Sequence, residues 1–402
     1  MLQEPVNKIF FHIDVNSAFL SWTAADLLRK GETTDIRSIP AVICDTSNMR
    51  HAIVLAKSIP AGRLGIKTAE PISMAERKCP GLVIKPPSFE LYRANSKKLM
   101  EHLSSFCPDI QQVSIDECYM DYTPIAHLYD SPEAAAQIIK DSVYETFGFT
   151  VNIGISDRKV LAKMASDFEK PNKVHTLYRN EIERKMWPLP VGDLFMCGNS
   201  AAKTLEKLGI RTIGDLAATD SYILKYNLKS HGMLLHNYAN GIDDSVVETI
   251  SERAKGIGNS TTLINDVTNT EGAAEVLSDL ADTVATRLRD AGRLAGSITV
   301  EIKYINFKCC SHQKLLDSPT NTTHDLFTES LNLFKALWNG EPVRLLGIRT
   351  TKLIDEDEPL QLSIFDYENE SSNDKMRKLD TAIDAIRKKY GNDAIKNGNH
   401  FS

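Results

Sequence analysis

The 402-residue chain lacks the features that mark several special classes of protein. No apolar run approaches the roughly 18 residues that a membrane-spanning helix needs, so neither a helical membrane protein nor a membrane partner is expected. The segment Met1 to Lys8 has no basic-then-apolar layout of a secretory signal. The seven cysteines form no CxxC pair, and Cys309 and Cys310 are adjacent and poor disulfide partners, so a reducing cytoplasm and no structural zinc site are expected. No repeat of solenoid period is present. What is there is ordinary for a folded chain of two to four domains: 42% apolar and 25% charged residues, enough for more than one core.

The net charge of −6 argues against a nucleic-acid partner until its distribution is examined. Residues 355 to 371 hold seven acids (Asp355, Glu356, Asp357, Glu358, Asp366, Glu368, Glu370) and no Lys or Arg. The rest of the chain is near neutral and can meet DNA through local basic faces.

Periodicity gives a mixed α/β reading. Ile9 to Val15 reads as a buried strand, followed by a helix over 17–30 that Gly31 closes. Residues 40–85 are punctuated by Pro and Gly and suggest a compact module of short elements. A helix over 89–105 precedes two strand-like runs on either side of Asp116-Glu117. Ser131 opens a helix over 132–147, Thr150 to Ile155 is a second buried strand, and a helix runs from Lys159 to Phe168. Residues 180–242 read as helical with Gly-marked turns, and 244–256 as a polar linker. From 257 to 354 the order is β-α-β-β-α-β. There Ile298, Val300, Ile302 and Tyr304 share one face of the best strand.

Asp14 lies at the end of a buried strand and Asp116-Glu117 inside a strand-like run. Carboxylates in apolar sequence are costly unless paired, protonated or bound to a cation. Like-charged pairs at about 4 Å cost on the order of 4 kcal/mol each at an effective dielectric near 20. Divalent cations remove that cost, and Mg²⁺ favours a few carboxylates plus phosphate oxygens. Neighbours in a regular strand face opposite ways, so Asp116 and Glu117 converge only at a hairpin turn or bulge, which is predicted there. The alternative is that Asp14 caps the following helix and Asp116-Glu117 forms a plain polar turn.

Three blocks carry a resemblance: His12 to Phe19 (HIDVNSAF), Ser114 to Glu117 (SIDE), and Ile153 to Asn172 (IGIS, LAKMASD, KPN). In this order they are similar to the signature of Y-family (translesion) DNA polymerases, and most similar to the UmuC-like, polymerase V catalytic-subunit type. The resemblance implies a right-hand α/β polymerase with palm (1–25 and 85–178), small fingers (26–84), helical thumb (179–243), linker (244–256), little finger (257–354) and acidic tail (355–402). It implies primer extension opposite damaged template, in DNA repair and the SOS response. Primer-template DNA, deoxynucleotides and two Mg²⁺ ions, with Mn²⁺ as a substitute, come with it. Asp14, Asp116 and Glu117 match the metal-binding carboxylates, and the Val15 carbonyl a further ligand. Phe19 matches the steric gate against a ribose 2′-hydroxyl, and Lys170 the triphosphate-contacting lysine. The fingers depart from the polymerase IV pattern: Ile59 and Gly62 stand where that type has Tyr and Arg, and Lys57 or Arg63 are the substitutes available.

Residues 193–210 resemble the thumb's helix-hairpin-helix-like turn, with Gly198 and Lys203 toward DNA and Met196 in place of the first hairpin glycine. Lys303, Lys308, Arg344 and Arg349 are the basic residues on or near little-finger strands. Gln361, Leu362, Ile364 and Phe365 resemble the bacterial sliding-clamp-binding motif, in a segment where no core would bury them. A recombinase or accessory activator is a further partner that the polymerase V resemblance suggests. Met376, Leu379, Ile383, Ile386 and Tyr390 form a helical stripe expected to pack on the body. The rival reading is a catalytically weak DNA-binding scaffold in a mutagenesis complex.

Overall fold

The computed structural model describes residues 8–47, 52–249, 253–358, 367–391 and 394–395. Gln361, Leu362, Ile364 and Phe365 lie outside the described residues. The chain divides into two compact units, 1–251 and 252–402.

The first unit begins with β1 (Phe10–Val15), α1 (Ala18–Arg29), β2 (Ala41–Ile43), β3 (Ala56–Lys57), α2 (Ile59–Arg63), α3 (Ile72–Lys78) and β4 (Val83–Lys85). It continues through α4 (Phe89–Ser104), β5 (Ile110–Gln112), β6 (Glu117–Asp121), α5 (Pro132–Phe147), β7 (Val151–Ser156), α6 (Lys159–Ser166) and β8 (Val174–Thr176). Short helices α7 (Ile182–Lys185), α8 (Asn199–Lys207) and α9 (Ile213–Ala218) precede α10 (Ser221–Ala239).

β1 is the middle strand of a sheet ordered β5-β6-β1-β7-β8, antiparallel to both its neighbours. Every residue of β1 is buried, as its apolar sequence predicts. Alternation divides its side chains between two faces. Phe11, Ile13 and Val15 enter a core with Tyr92 and Leu99 of α4 and Ile139 and Val143 of α5. His12 and Asp14 take the other face, where α6 lies, and His12 Nδ1 is 2.8 Å from Ser166 Oγ.

The close approach of α6 depends on Gly154 of β7. A Cβ there would lie 2.0 Å from the Ala162 carbonyl oxygen and 2.4 Å from the Ser166 nitrogen. Residues 41–85 form the expected small module, a β3-β2-β4 sheet with its own core of Val42, Val54, Ile66 and Ile72. Helices α7 to α10 share a core with α6 around Leu161, Met164, Leu205, Leu216 and Leu235.

The second unit contains β9 (Gly256–Val267), α11 (Thr270–Asp290), β10 (Arg293–Tyr304), β11 (Cys309–Thr320), α12 (Thr323–Leu337), β12 (Val343–Asp355) and α13 (Tyr367–Tyr390). This reproduces the β-α-β-β-α-β order. The sheet runs β11-β10-β12-β9, antiparallel throughout. Ile298, Val300, Ile302 and Tyr304 are buried as predicted, against Leu277, Leu280, Val284 and Leu288 of α11 and Phe334 of α12. By register and alternation, Lys303 and Arg349 share the opposite face with Glu301 between them, and Lys308 is exposed in the β10–β11 turn.

The α13 stripe corrects the sequence expectation. Met376, Leu379, Ile386 and Tyr390 are exposed, and the helix docks by its charged side. Arg289 of α11 donates to Asp384 at 2.6 Å and Asp380 at 3.1 Å. Arg387 reaches Asp282 and Lys388 reaches Asp290, both at 2.6 Å. The reason lies in α11, whose apolar residues already cover the sheet and whose outer surface offers charge.

Replacing Gly154 with Ala drives a methyl into the α6 backbone and is expected to lower stability by about 3 kcal/mol, at the top of the usual overpacking range. Urea unfolding of the two proteins measures it, and an unchanged midpoint counts against the tight β7–α6 contact.

Candidate active site

The register of β1 and β6 sets Asp14 directly opposite Glu117. Both side chains take the face that α6 covers only in part. The predicted hairpin is present: residues 113–116 link β5 to β6, and the Val113 N–H donates to the Glu117 carbonyl at 3.0 Å. Asp116 sits in this turn, released from strand alternation. Its carboxylate accepts from Ser114 Oγ at 2.6 Å, and its carbonyl accepts from the Val15 N–H at 3.1 Å. The three acids therefore meet at one end of the sheet. Asp14 does not cap α1, whose N-cap is Ser17 in a left-handed conformation at φ 48°.

A cleft of about 700 Å³ opens over this end, and its walls include Asp14, Val15, Phe19, Lys57, Arg63, Asp116, Glu117 and Lys170. Among the described residues no group of three His, Cys, Asp or Glu side chains is drawn together tightly enough to cage a metal. Ammonium groups hold two of the acids, Asp14 and Glu117, instead. Lys170 donates to Asp14 and lies 2.9 Å from Asp167 Oδ1, and Lys163 donates to Glu117 Oε1 at 2.7 Å. Burial pushes the Asp14 carboxyl up to about 6, although Lys170 and Lys163 pull it down. Burial pulls both ammonium groups down, but their carboxylate neighbours outweigh it and leave them raised.

The donor set suits a hard divalent cation, since it offers carboxylate and carbonyl oxygens and no sulfur. A buried carboxylate whose proton affinity is raised gains most when a cation replaces that proton. Asp14, Asp116, Glu117 and the Val15 carbonyl are the residues that would hold such a cation.

Sequence reasoning missed the parts that set this geometry. Lys163 was quoted only as part of a motif. Asn16 and Asn152 fix the Lys170 loop: Asn16 Oδ1 accepts from the Asn172 N–H and Thr150 Oγ1, both at 2.9 Å, and Asn152 Oδ1 accepts from the Lys173 N–H at 3.1 Å. An amide inside the apolar run Thr150 to Ile155 was the available signal. His12 is a further case. Ser166 Oγ donates to the Lys163 carbonyl, so it accepts from His12 Nδ1, which leaves Nε2 as a bare lone pair 3.9 Å from Glu117 Oε2. Burial, with Lys163 and Lys170 next, keeps this imidazole pKa well below the usual value and the ring neutral.

The Phe19 ring stacks on that of Tyr92, with centroids 4.4 Å apart, and lines the cleft. In the small β3-β2-β4 module, a Cβ on Gly62 would come within 3.2 Å of Lys57 Cε, so the glycine leaves the room that the Lys57 side chain takes. Gly198 and Lys203 lie away from this cleft, at the exposed start of α8. Met196, where the hairpin glycine was expected, holds φ 69°, the conformation that favours glycine.

Several known proteins are similar. The profile described as "impB/mucB/samB family" matches residues 13–167, and that of its C-terminal domain matches 254–364. A Clostridium acetobutylicum protein named DNA polymerase IV is 45% identical over 390 residues, covering 97% of each chain. The Bacillus subtilis protein named DNA polymerase IV 1 is 34% identical over 395 residues, covering 98% of this chain and 93% of the relative. The solved Y-family DNA polymerase chimera Dbh-Dpo4(243-245)-Dbh has the same fold, with TM-score 0.76 at 22% identity, over 86% of this chain and 99% of the chimera.

Asp14 titrates near 6 folded against 3.8 unfolded, so its ionisation opposes folding. Stability is fully present below the unfolded value and is lost as pH rises to the folded one, by on the order of 3 kcal/mol. Asp14→Asn removes this loss. In EDTA, its stability relative to the parent should rise between pH 4 and pH 7, read by urea unfolding. A difference independent of pH would refute the buried-carboxylate account.

Proposed function

The chain belongs to the Y-family of translesion DNA polymerases, divalent-metal-dependent enzymes that extend a primer on a template with deoxynucleotides, and from that premise we propose how its own residues do so. The observation that carries the proposal is the common cleft shared by the three acids, the aromatic ring of Phe19 and the basic residues Lys57, Arg63 and Lys170.

Asp14, Asp116 and Glu117, with the Val15 carbonyl, hold two Mg²⁺ ions, for which Mn²⁺ can substitute. When bound, such ions lower the pKa of the primer 3′-hydroxyl and neutralise charge on the triphosphate. Lys170 moves from Asp14 to a triphosphate oxygen, a point-charge contact that a lysine on a flexible stem can make. Lys57, in the room that Gly62 leaves, and Arg63 supply the triphosphate contacts that a Tyr and an Arg make in the polymerase IV type. Phe19, backed by Tyr92 and Trp22, has no space to yield, so its ring excludes a ribose 2′-hydroxyl. Gly198 and Lys203 contact DNA phosphates, as do Lys303, Lys308 and Arg349 of the second unit. Gln361, Leu362, Ile364 and Phe365 dock on a sliding clamp, and a recombinase or other activator is a further partner.

Primer extension with the purified chain tests the central assignment. Asp116→Ala should lower incorporation at least about a hundredfold, in line with loss of an electrostatic component of the site. Equal extension by both proteins would remove the mechanism, and primers shortened without deoxynucleotides would mark a nuclease. In the same assay Phe19→Ala should admit ribonucleotides. Unchanged sugar selectivity would refute the gate.

A further inference from the structure

Lys163 and Asp167 have no part in the reaction proposed above, yet both lie within 4 Å of the charged groups of the site. The Lys163 side chain is only 11% exposed, and its ammonium is 2.7 Å from Glu117, 3.4 Å from Asp167 and 4.0 Å from Asp14. Asp167 follows α6 directly, is 45% exposed, and also lies 2.9 Å from the Lys170 ammonium. A single carboxylate on the solvent side thus reaches both cations that hold the inner acids.

We propose that Lys163 is an internal counter-ion occupying the cation site between metal-binding events, and that Asp167 receives its ammonium when a divalent cation takes Glu117 and Asp14. The inference rests on reading the three acids as cation ligands. A divalent cation and an ammonium compete for the same carboxylate oxygens and repel each other at that distance. α6 is seated against β7, with the Ala162 carbonyl and Ser166 nitrogen at Gly154. Side-chain rotation moves the ammonium without giving up that packing. Asp167, one helical turn along the same helix, is the acceptor within that reach.

Both residues are positioning residues, so the test reads binding. Mn²⁺ is titrated into the full chain without DNA or nucleotide, and free Mn²⁺ is followed by electron paramagnetic resonance. Lys163→Gln should bind Mn²⁺ about tenfold more tightly, since the competitor is gone. Asp167→Asn should bind about tenfold more weakly, and Asp167→Glu should restore the parent affinity. The double variant decides the matter. If Asp167 acts by receiving the ammonium, most of the Asp167→Asn loss vanishes in the Lys163→Gln background. The same loss in both backgrounds would make Asp167 a simple field effect and overturn the proposal. So would unchanged affinity in Lys163→Gln, and the half-exposed Asp167 supplies an independent reading if that variant does not fold. Failure of the underlying assignment looks different: Asp116→Ala would bind Mn²⁺ as the parent does.

Discussion

Carboxylates gathered at the end of a buried strand must have positive charge beside them, and much of the first unit is arranged to supply it. Asp14 is set in the middle of a sheet by the apolar strand that carries it, where ionisation is unfavourable. Two lysines answer this, one from α6 and one from the loop after it. Each is held in place by its surroundings: Gly154 admits α6, and Asn16 and Asn152 anchor the loop that carries Lys170. The two ammonium groups offset the charge of Asp14 and Glu117 in part, and burial still leaves the Asp14 carboxyl raised. Such pre-organisation keeps the acids from scattering, and catalysis by electrostatic stabilisation depends on that.

The parts of this arrangement that were legible in the sequence are those governed by local pattern. The strand at Ile9 to Val15, the hairpin at Asp116-Glu117 and the β-α-β-β-α-β order of the second unit follow from periodicity and from the geometric conflict between adjacent acids in a strand. The acidic set itself was a weak signal by spacing and a strong one by resemblance. Lys163 and Asn16 were illegible as site components because their roles arise from contacts across separations of 46 and 136 residues. Composition around each gives no hint of its partner, since the approach of α6 to Glu117 and the pairing of β1 with β7 bring the groups together.

The α13 stripe shows where periodicity misleads. A helical repeat of Met376, Leu379, Ile383, Ile386 and Tyr390 implies burial only if the surface offered to it is apolar. α11 offers Asp282, Arg289 and Asp290, so charge pairing outweighs apolar burial and turns most of the stripe outward. The interface has one nearly buried guanidinium held by two acids, and its remaining ion pairs are partly exposed. Pairs of the latter kind contribute little each and weaken with salt, so the docking rests on Arg289.

The triphosphate contacts proposed for the β3-β2-β4 module follow the same principle. Triphosphate recognition requires positive charge at a set place but does not dictate which backbone position provides it. Gly62 removes the side chain expected at its position, and in doing so opens the volume that Lys57 fills from the neighbouring strand. Loss at one position and gain at another are therefore a single steric event. A Cβ at position 62 would stand 3.2 Å from Lys57 Cε, so the role proposed for Lys57 depends on the absence of a side chain there. Met196 makes the complementary case, for there the side chain has changed and the left-handed backbone of the turn persists. In both places the constraint resides in the geometry required at the ligand, and residue identity is free to vary wherever another atom can meet it.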